Sequence, residues 1–72
     1  MAIKVHRYTL APEHVASLDF DVPGGVTGGC IAASMPPGGP YSVDIEFDDE
    51  EIPVEEMDAW YAVRSWAFSE EL

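Results

Sequence analysis

The chain has 72 residues, which is enough for one small domain, residues 1–72, and no more. Hydrophobic residues make up 47% of it and aromatics 11%, which argues against a disordered acidic tail. The net charge is −11, from 14 acidic residues against 3 Lys and Arg. That balance argues against direct binding to nucleic acid or to an anionic membrane and makes a basic surface the natural partner.

Residues 2–10, AIKVHRYTL, are rich in β-branched and aromatic types and predict a first strand. Its inward face is open, because Ile3 and Val5 lie on one side and Tyr8 and Leu10 on the other. SLDFDV, residues 17–22, alternates Leu18, Phe20 and Val22 with Asp19 and Asp21, the pattern of a half-buried strand. PGGVTGG then marks a turn or wide hairpin loop. CIAASM, residues 30–35, is short and made of small residues, as a strand in a crowded place would be. PPGGP, residues 36–40, must end it, since proline donates nothing to a strand ladder.

YSVDIEFDD, residues 41–49, is the cleanest strand. Tyr41, Val43, Ile45 and Phe47 face one way, and Ser42, Asp44, Glu46 and Asp48 the other. The carboxylates on that second face would be spaced roughly 6.6 to 6.8 Å apart. From Pro53 to about residue 70 the period becomes helical. Val54, Met57, Trp60, Tyr61, Ala67 and Phe68 share one broad face, and Glu55, Glu56 and Asp58 sit near the positive N-terminal end. Arg64 projects from the apolar face. Either its stem covers core while its head reaches water or a local carboxylate such as Glu56 or Asp58, or it clamps the acidic surface in order. Trp66 points nearly opposite, either as an interface anchor or half-buried against a loop. These elements predict an α+β fold: an antiparallel sheet of three to four strands, a β-meander, with one C-terminal helix packed on one face.

No motif points to catalysis, and no enzyme activity or cofactor is expected. His6, His14 and Cys30 match no zinc spacing, so they are expected to be a surface histidine, a loop histidine and a small buried thiol. GGVTGG lacks the Lys and Ser/Thr of a phosphate-binding loop. DDEE lacks the alternating ligands and the glycine of an EF-hand. Paired carboxylates need a cleft that separates their titrations, and an open sheet face offers none. A single cysteine excludes an intrachain disulfide. The absence of a signal-like or membrane-spanning apolar run makes the cytoplasm the expected location.

What remains is the run DIEFDDEEIPVEEMD, with acids at Asp44, Glu46, Asp48, Asp49, Glu50, Glu51, Glu55, Glu56 and Asp58 and no Lys or Arg among them. Together with Asp19 and Asp21 it forms the expected partner-binding surface, to which Trp66 is added. Solvated charge for solubility would tolerate interspersed lysines. Charge of one sign on a rigid strand and helix turn can instead occupy a groove built for the phosphates of DNA.

A domain this short, this acidic and without catalytic motifs resembles the small phage-encoded inhibitors of bacterial defence, above all the anti-CRISPR proteins that act as DNA mimics. Asp19, Asp21 and the run from Asp44 to Asp58 carry the resemblance. It implies a monomer that binds a basic nucleic-acid-binding protein, with a type I Cas surveillance-complex subunit as the preferred target, in the host bacterial cytoplasm. Two rival readings stand beside it. One is an adaptor that docks on a host protein through its C-terminal helix and Trp66. The other is a small structural or homo-oligomeric protein.

Overall fold

The computed structural model of the protein describes residues 2–11, 13, 22–24 and 26–72. Its elements run β1 (Ile3–Leu10), β2 (Gly29–Ser34), β3 (Tyr41–Asp48), α1 (Val54–Val63) and β4 (Trp66–Glu71). The strands form one antiparallel sheet in the order β2-β3-β1-β4. The fold is therefore α+β, as expected, but the strand order is not sequential. β1 lies between β3 and β4, and both run antiparallel to it. They are thus parallel to each other, with α1 as their connection, a split β-α-β unit. The expected strand over residues 17–22, except Val22, and His14 lie outside the described residues.

The open question about β1 is settled by burial. His6, Tyr8 and Leu10 are buried, while Arg7 and Thr9 are half-buried on the opposite face. The expected surface histidine is therefore a core residue, His6, 2% exposed. β3 follows its period of two, with Val43, Ile45 and Phe47 in the core. Ile52, Met57 and Tyr61 complete that core from the helix side and Trp66 from β4, and Tyr8 stacks on Tyr61 at 4.2 Å between ring centroids.

PPGGP makes the β2–β3 hairpin loop. Gly38 and Gly39 take φ of 82° and 64°, and the Gly39 amide donates to the Pro36 carbonyl at 2.9 Å. Among the described residues β2 is not in a crowded place: it is an edge strand, exposed from Cys30 to Ser34, and the Cys30 thiol is exposed rather than buried. Both edge strands carry one extra residue, Ile31 in β2 and Ser69 in β4, where the pairing register steps. Such bulges twist an open edge away from further pairing.

The helix is shorter than its periodicity predicts. Pro53, in extended conformation, caps its start, and the Pro53 carbonyl accepts from the Glu56 and Met57 amides at 3.0 Å each. The end comes at Val63. Ser65 then adopts φ 68°, the left-handed conformation that helices favour just past their C-terminus. The chain reverses there, and residues expected in the last turns of the helix become β4. The physical reason is non-local. A continued helix would leave the second edge of β1 unpaired and Trp66 outside the core. As a strand, the segment pairs Trp66 with Leu10 and Phe68 with Tyr8. Because only glycine takes that conformation without steric cost, Ser65→Gly is expected to raise stability by about 1 kcal/mol. A shift of the urea midpoint at constant slope measures it.

Candidate acidic interaction surface

The carboxylates expected to form one exposed row separate into two groups. The inner group holds the fold. Asp44, 9% exposed, sits directly opposite Arg7 on β1. Arg7 donates to both of its oxygens, Nε to Oδ1 at 2.8 Å and Nη2 to Oδ2 at 3.2 Å, and its Nη1 reaches Glu70 Oε1 at 2.8 Å. One guanidinium thus ties β3, β1 and β4 across the sheet face away from the core. Asp44 is corrected from a free surface charge to a partly buried, bidentate partner.

Asp48, 4% exposed, is corrected in the same way. Its Oδ1 accepts from the Glu50 amide at 3.0 Å and from the Ala2 amide at 3.2 Å. Its carbonyl accepts from the Glu51 and Ile52 amides at 3.0 Å each. This aspartate turn bends the chain from strand toward helix. The Glu50 amide first, and the Ala2 amide second, hold the Asp48 carboxyl below its ordinary range. The sign follows: the unfolded chain takes up the proton at the higher pH, so Asp48 adds stability above its ordinary value of 3.8. That stability is lost as pH falls through the depressed folded value. Urea midpoints followed into acid are expected to fall less steeply for Asp48→Asn than for the native chain.

Glu46 is half-buried and lies against Gly28, where an added Cβ would come within 2.7 Å of the Glu46 Cβ. The chain can pass there because that position is glycine. Asp58, on α1, accepts the Tyr8 hydroxyl proton at 2.7 Å. Burial first, and the Asp58 acceptor second, push the Tyr8 phenol far above its ordinary value.

The outer group follows the Asp48 turn. Asp49 is half-buried, with the Lys4 ammonium at 4.0 Å, while Glu50, Glu51, Glu55 and Glu56 are exposed. Glu51 accepts from the Thr27 hydroxyl at 2.9 Å. Among the described residues, Glu55 and Glu56 make no ion pair, and they occupy the first turn of α1, where the helix dipole favours anions. Lys4 and Arg7 are turned toward carboxylates outside this stretch, Glu71, Asp44 and Glu70, with only Asp49 at the limit of contact. The Arg64 guanidinium lies 3.5 Å over the Trp60 ring and donates to the Trp60 carbonyl at 3.0 Å, a stacked arrangement rather than a reach for Glu56 or Asp58. Asp19 and Asp21 lie outside the described residues.

Trp66 leaves the candidate surface. It is 2% exposed and packs edge-on to Tyr61 at 6.5 Å, so it serves the core and cannot anchor a partner. The adaptor reading loses its named contact with it.

The sequence reading missed a second polar cluster, built around His6. The ring lies edge-on to Phe47 at 5.0 Å and against Phe68 at 4.8 Å. Its Nδ1 is 3.3 Å from the Tyr8 hydroxyl and 3.3 Å from Asp58 Oδ1, and its Nε2 is 3.4 Å from Glu71 Oε1. Lys4 first, and His6 second, hold the Glu71 carboxyl below its ordinary range. The alternation Lys4, His6, Tyr8 along one strand face was the available signal. The Glu71 partner was hidden because the residues leading to it, up to about residue 70, read as a helix and not as a strand beside β1.

Among the described residues, no three His, Cys, Asp or Glu side chains gather as a metal ion would require, and no helix is long and apolar enough to cross a membrane. No family model, curated protein or solved structure matches the chain.

Proposed function

We propose that this domain is an acidic protein inhibitor that occupies the basic nucleic-acid-binding surface of a bacterial defence complex, as an anti-CRISPR DNA mimic does, and so blocks target DNA. One observation carries the reading. Glu50, Glu51, Glu55 and Glu56 are exposed on a strand-to-helix joint whose backbone is held by Asp48 and by the Pro53 carbonyl. Two of the three basic side chains, Lys4 and Arg7, pair mainly with other carboxylates.

Duplex DNA carries about one charge per 1.7 Å of axis, and a groove made for it presents Lys and Arg at matching intervals. Carboxylates held on ordered backbone meet those cations without first paying to order a loop. Attraction of this kind speeds encounter and weakens with salt, because the charges on both partners are screened. The role needs no cofactor and no catalytic step, and it is compatible with a monomer in the bacterial cytoplasm. A type I Cas surveillance complex remains the preferred target.

The test is competition. The protein and a labelled target duplex are titrated against the purified surveillance complex over a series of salt concentrations. Mutually exclusive binding, with the protein's affinity falling steeply as salt rises, is the expected result. A ternary complex with DNA, or binding indifferent to salt, overturns the reading.

A further inference from the structure

We propose that His6 is a proton-operated latch between the helix and the last strand. The ring lies inside the aromatic packing of Phe47 and Phe68, with 3% of its side chain exposed. Among the described residues, three polar side chains face the ring, one from each of three elements. Tyr8 comes from its own strand β1, Asp58 from α1, and Glu71 from β4 with Lys4 behind it at 3.3 Å, while β3 sets apolar Ile45 opposite it in register and the Phe47 ring against it.

Hydrogen-bond inventory decides what the ring can do. The Tyr8 hydroxyl spends its proton on Asp58 at 2.7 Å, so toward His6 it only accepts. Ionised Asp58 and Glu71 only accept as well. Both ring nitrogens therefore face acceptors, and both contacts are bonds only when both nitrogens carry protons. In that state Nδ1–H donates to the Asp58 and Tyr8 oxygens and Nε2–H donates to Glu71, so α1 and β4 are joined through one ring on β1. A neutral ring has one N–H and serves one side.

Exposure decides which side is given up. The Glu71 side chain is 52% exposed, against 36% for Asp58, and it already has Lys4 as a partner. On losing a proton the ring keeps Nδ1–H toward the enclosed Asp58–Tyr8 pair. The Nε2 lone pair then opposes Glu71 Oε1, and Glu71 turns to Lys4 and water. The Glu71 side chain is released from the ring, while the inner bond and the backbone pairing of His6 with Glu71 stay. The adjoining bond from the Leu72 amide to the Val5 carbonyl, 2.8 Å, is the nearest backbone reporter.

The test uses the full chain, uniformly labelled with ¹⁵N, followed by NMR across about pH 5 to 8, where imidazoles change charge. Long-range ring spectra report the protonation of each nitrogen. The expected result is a doubly protonated ring in acid and the Nδ1–H tautomer once one proton is lost. The Glu71 and Leu72 amide shifts should move with the same midpoint as the ring. In Glu71→Gln, a carboxamide serves either state of Nε2, as acceptor or donor. The ring should still titrate there while the Leu72 shift stays flat. An Nε2–H tautomer, or Glu71 and Leu72 shifts that do not follow the ring in the native chain, overturns the proposal. So does a Leu72 shift that still follows the ring in Glu71→Gln.

Discussion

Trp66→Ala is expected to abolish most of the stability of the domain. Trp66 is almost completely buried, is paired in register with Leu10, and packs against Tyr61. Truncating a buried Trp costs roughly 3 to 5 kcal/mol, because the transfer energy is lost and a cavity is left behind. A domain of 72 residues has, at about 0.05 to 0.15 kcal/mol per residue, only roughly 4 to 11 kcal/mol in total. The smallest domains sit toward the low end, since they bury a smaller share of their surface. The loss also removes the main reason for β4 to leave the helix and cover β1. Urea unfolding followed by far-ultraviolet circular dichroism should show a midpoint reduced by more than half, or no folded baseline. Trp60→Ala is the control. Trp60 is half-buried at the edge of the core, and its loss frees the Arg64 stack but opens no central cavity. A Trp66→Ala chain that unfolds cooperatively near the native midpoint would mean that β4 is not docked as described. The same substitution is unsuited to testing partner binding, because it removes the fold before any interface.

What the sequence made legible is what depends on near neighbours. The period of two in YSVDIEFD placed Val43, Ile45 and Phe47 in the core. PPGGP placed the hairpin, and Pro53 with its following acids placed the helix start. The helix end was not legible, because Ala67 and Phe68 continue the apolar helical face, although Trp66, pointing nearly opposite, did not fit it. The deciding facts were the free edge of β1 and the backbone of Ser65, and neither is a property of that segment's side chains. The acidic row failed for a related reason. Alternation says that Asp44, Glu46 and Asp48 share a face. It says nothing of what lies opposite, and the β1–β3 register sets Arg7 against Asp44. His6 looked like a surface residue because its carboxylate partners are 52 and 65 positions away.

That division of the acids sets how the mimic reading must be tested. Reversing the strand carboxylates is the intuitive experiment, and it gives a misleading answer. Asp44→Lys puts an ammonium against Arg7 in a partly buried site and leaves the guanidinium without its bidentate partner. Asp48→Lys strands the Glu50 and Ala2 amides at the bend from strand to helix. Both should lose binding by unfolding, whatever the function. The informative variant is the double substitution Glu55→Lys/Glu56→Lys. These side chains are exposed and make no ion pair among the described residues, so the fold exchanges a favourable interaction with the helix dipole, about 0.3 to 1 kcal/mol each, for an unfavourable one of similar size. The change raises the net charge of −11 by four units at the corner proposed to meet the basic surface. Affinity for the surveillance complex at low salt should fall at least about tenfold, equivalent to about 1.4 kcal/mol. The loss should shrink as salt rises, and the salt dependence should become shallower than that of the native chain. A variant that stays folded by circular dichroism and competes with DNA as well as the native protein would remove this corner from the interface. The mimic reading would then rest on Glu50 and Glu51 alone, the exposed carboxylates left on this joint. For this reason stability and competition must be measured on the same preparation.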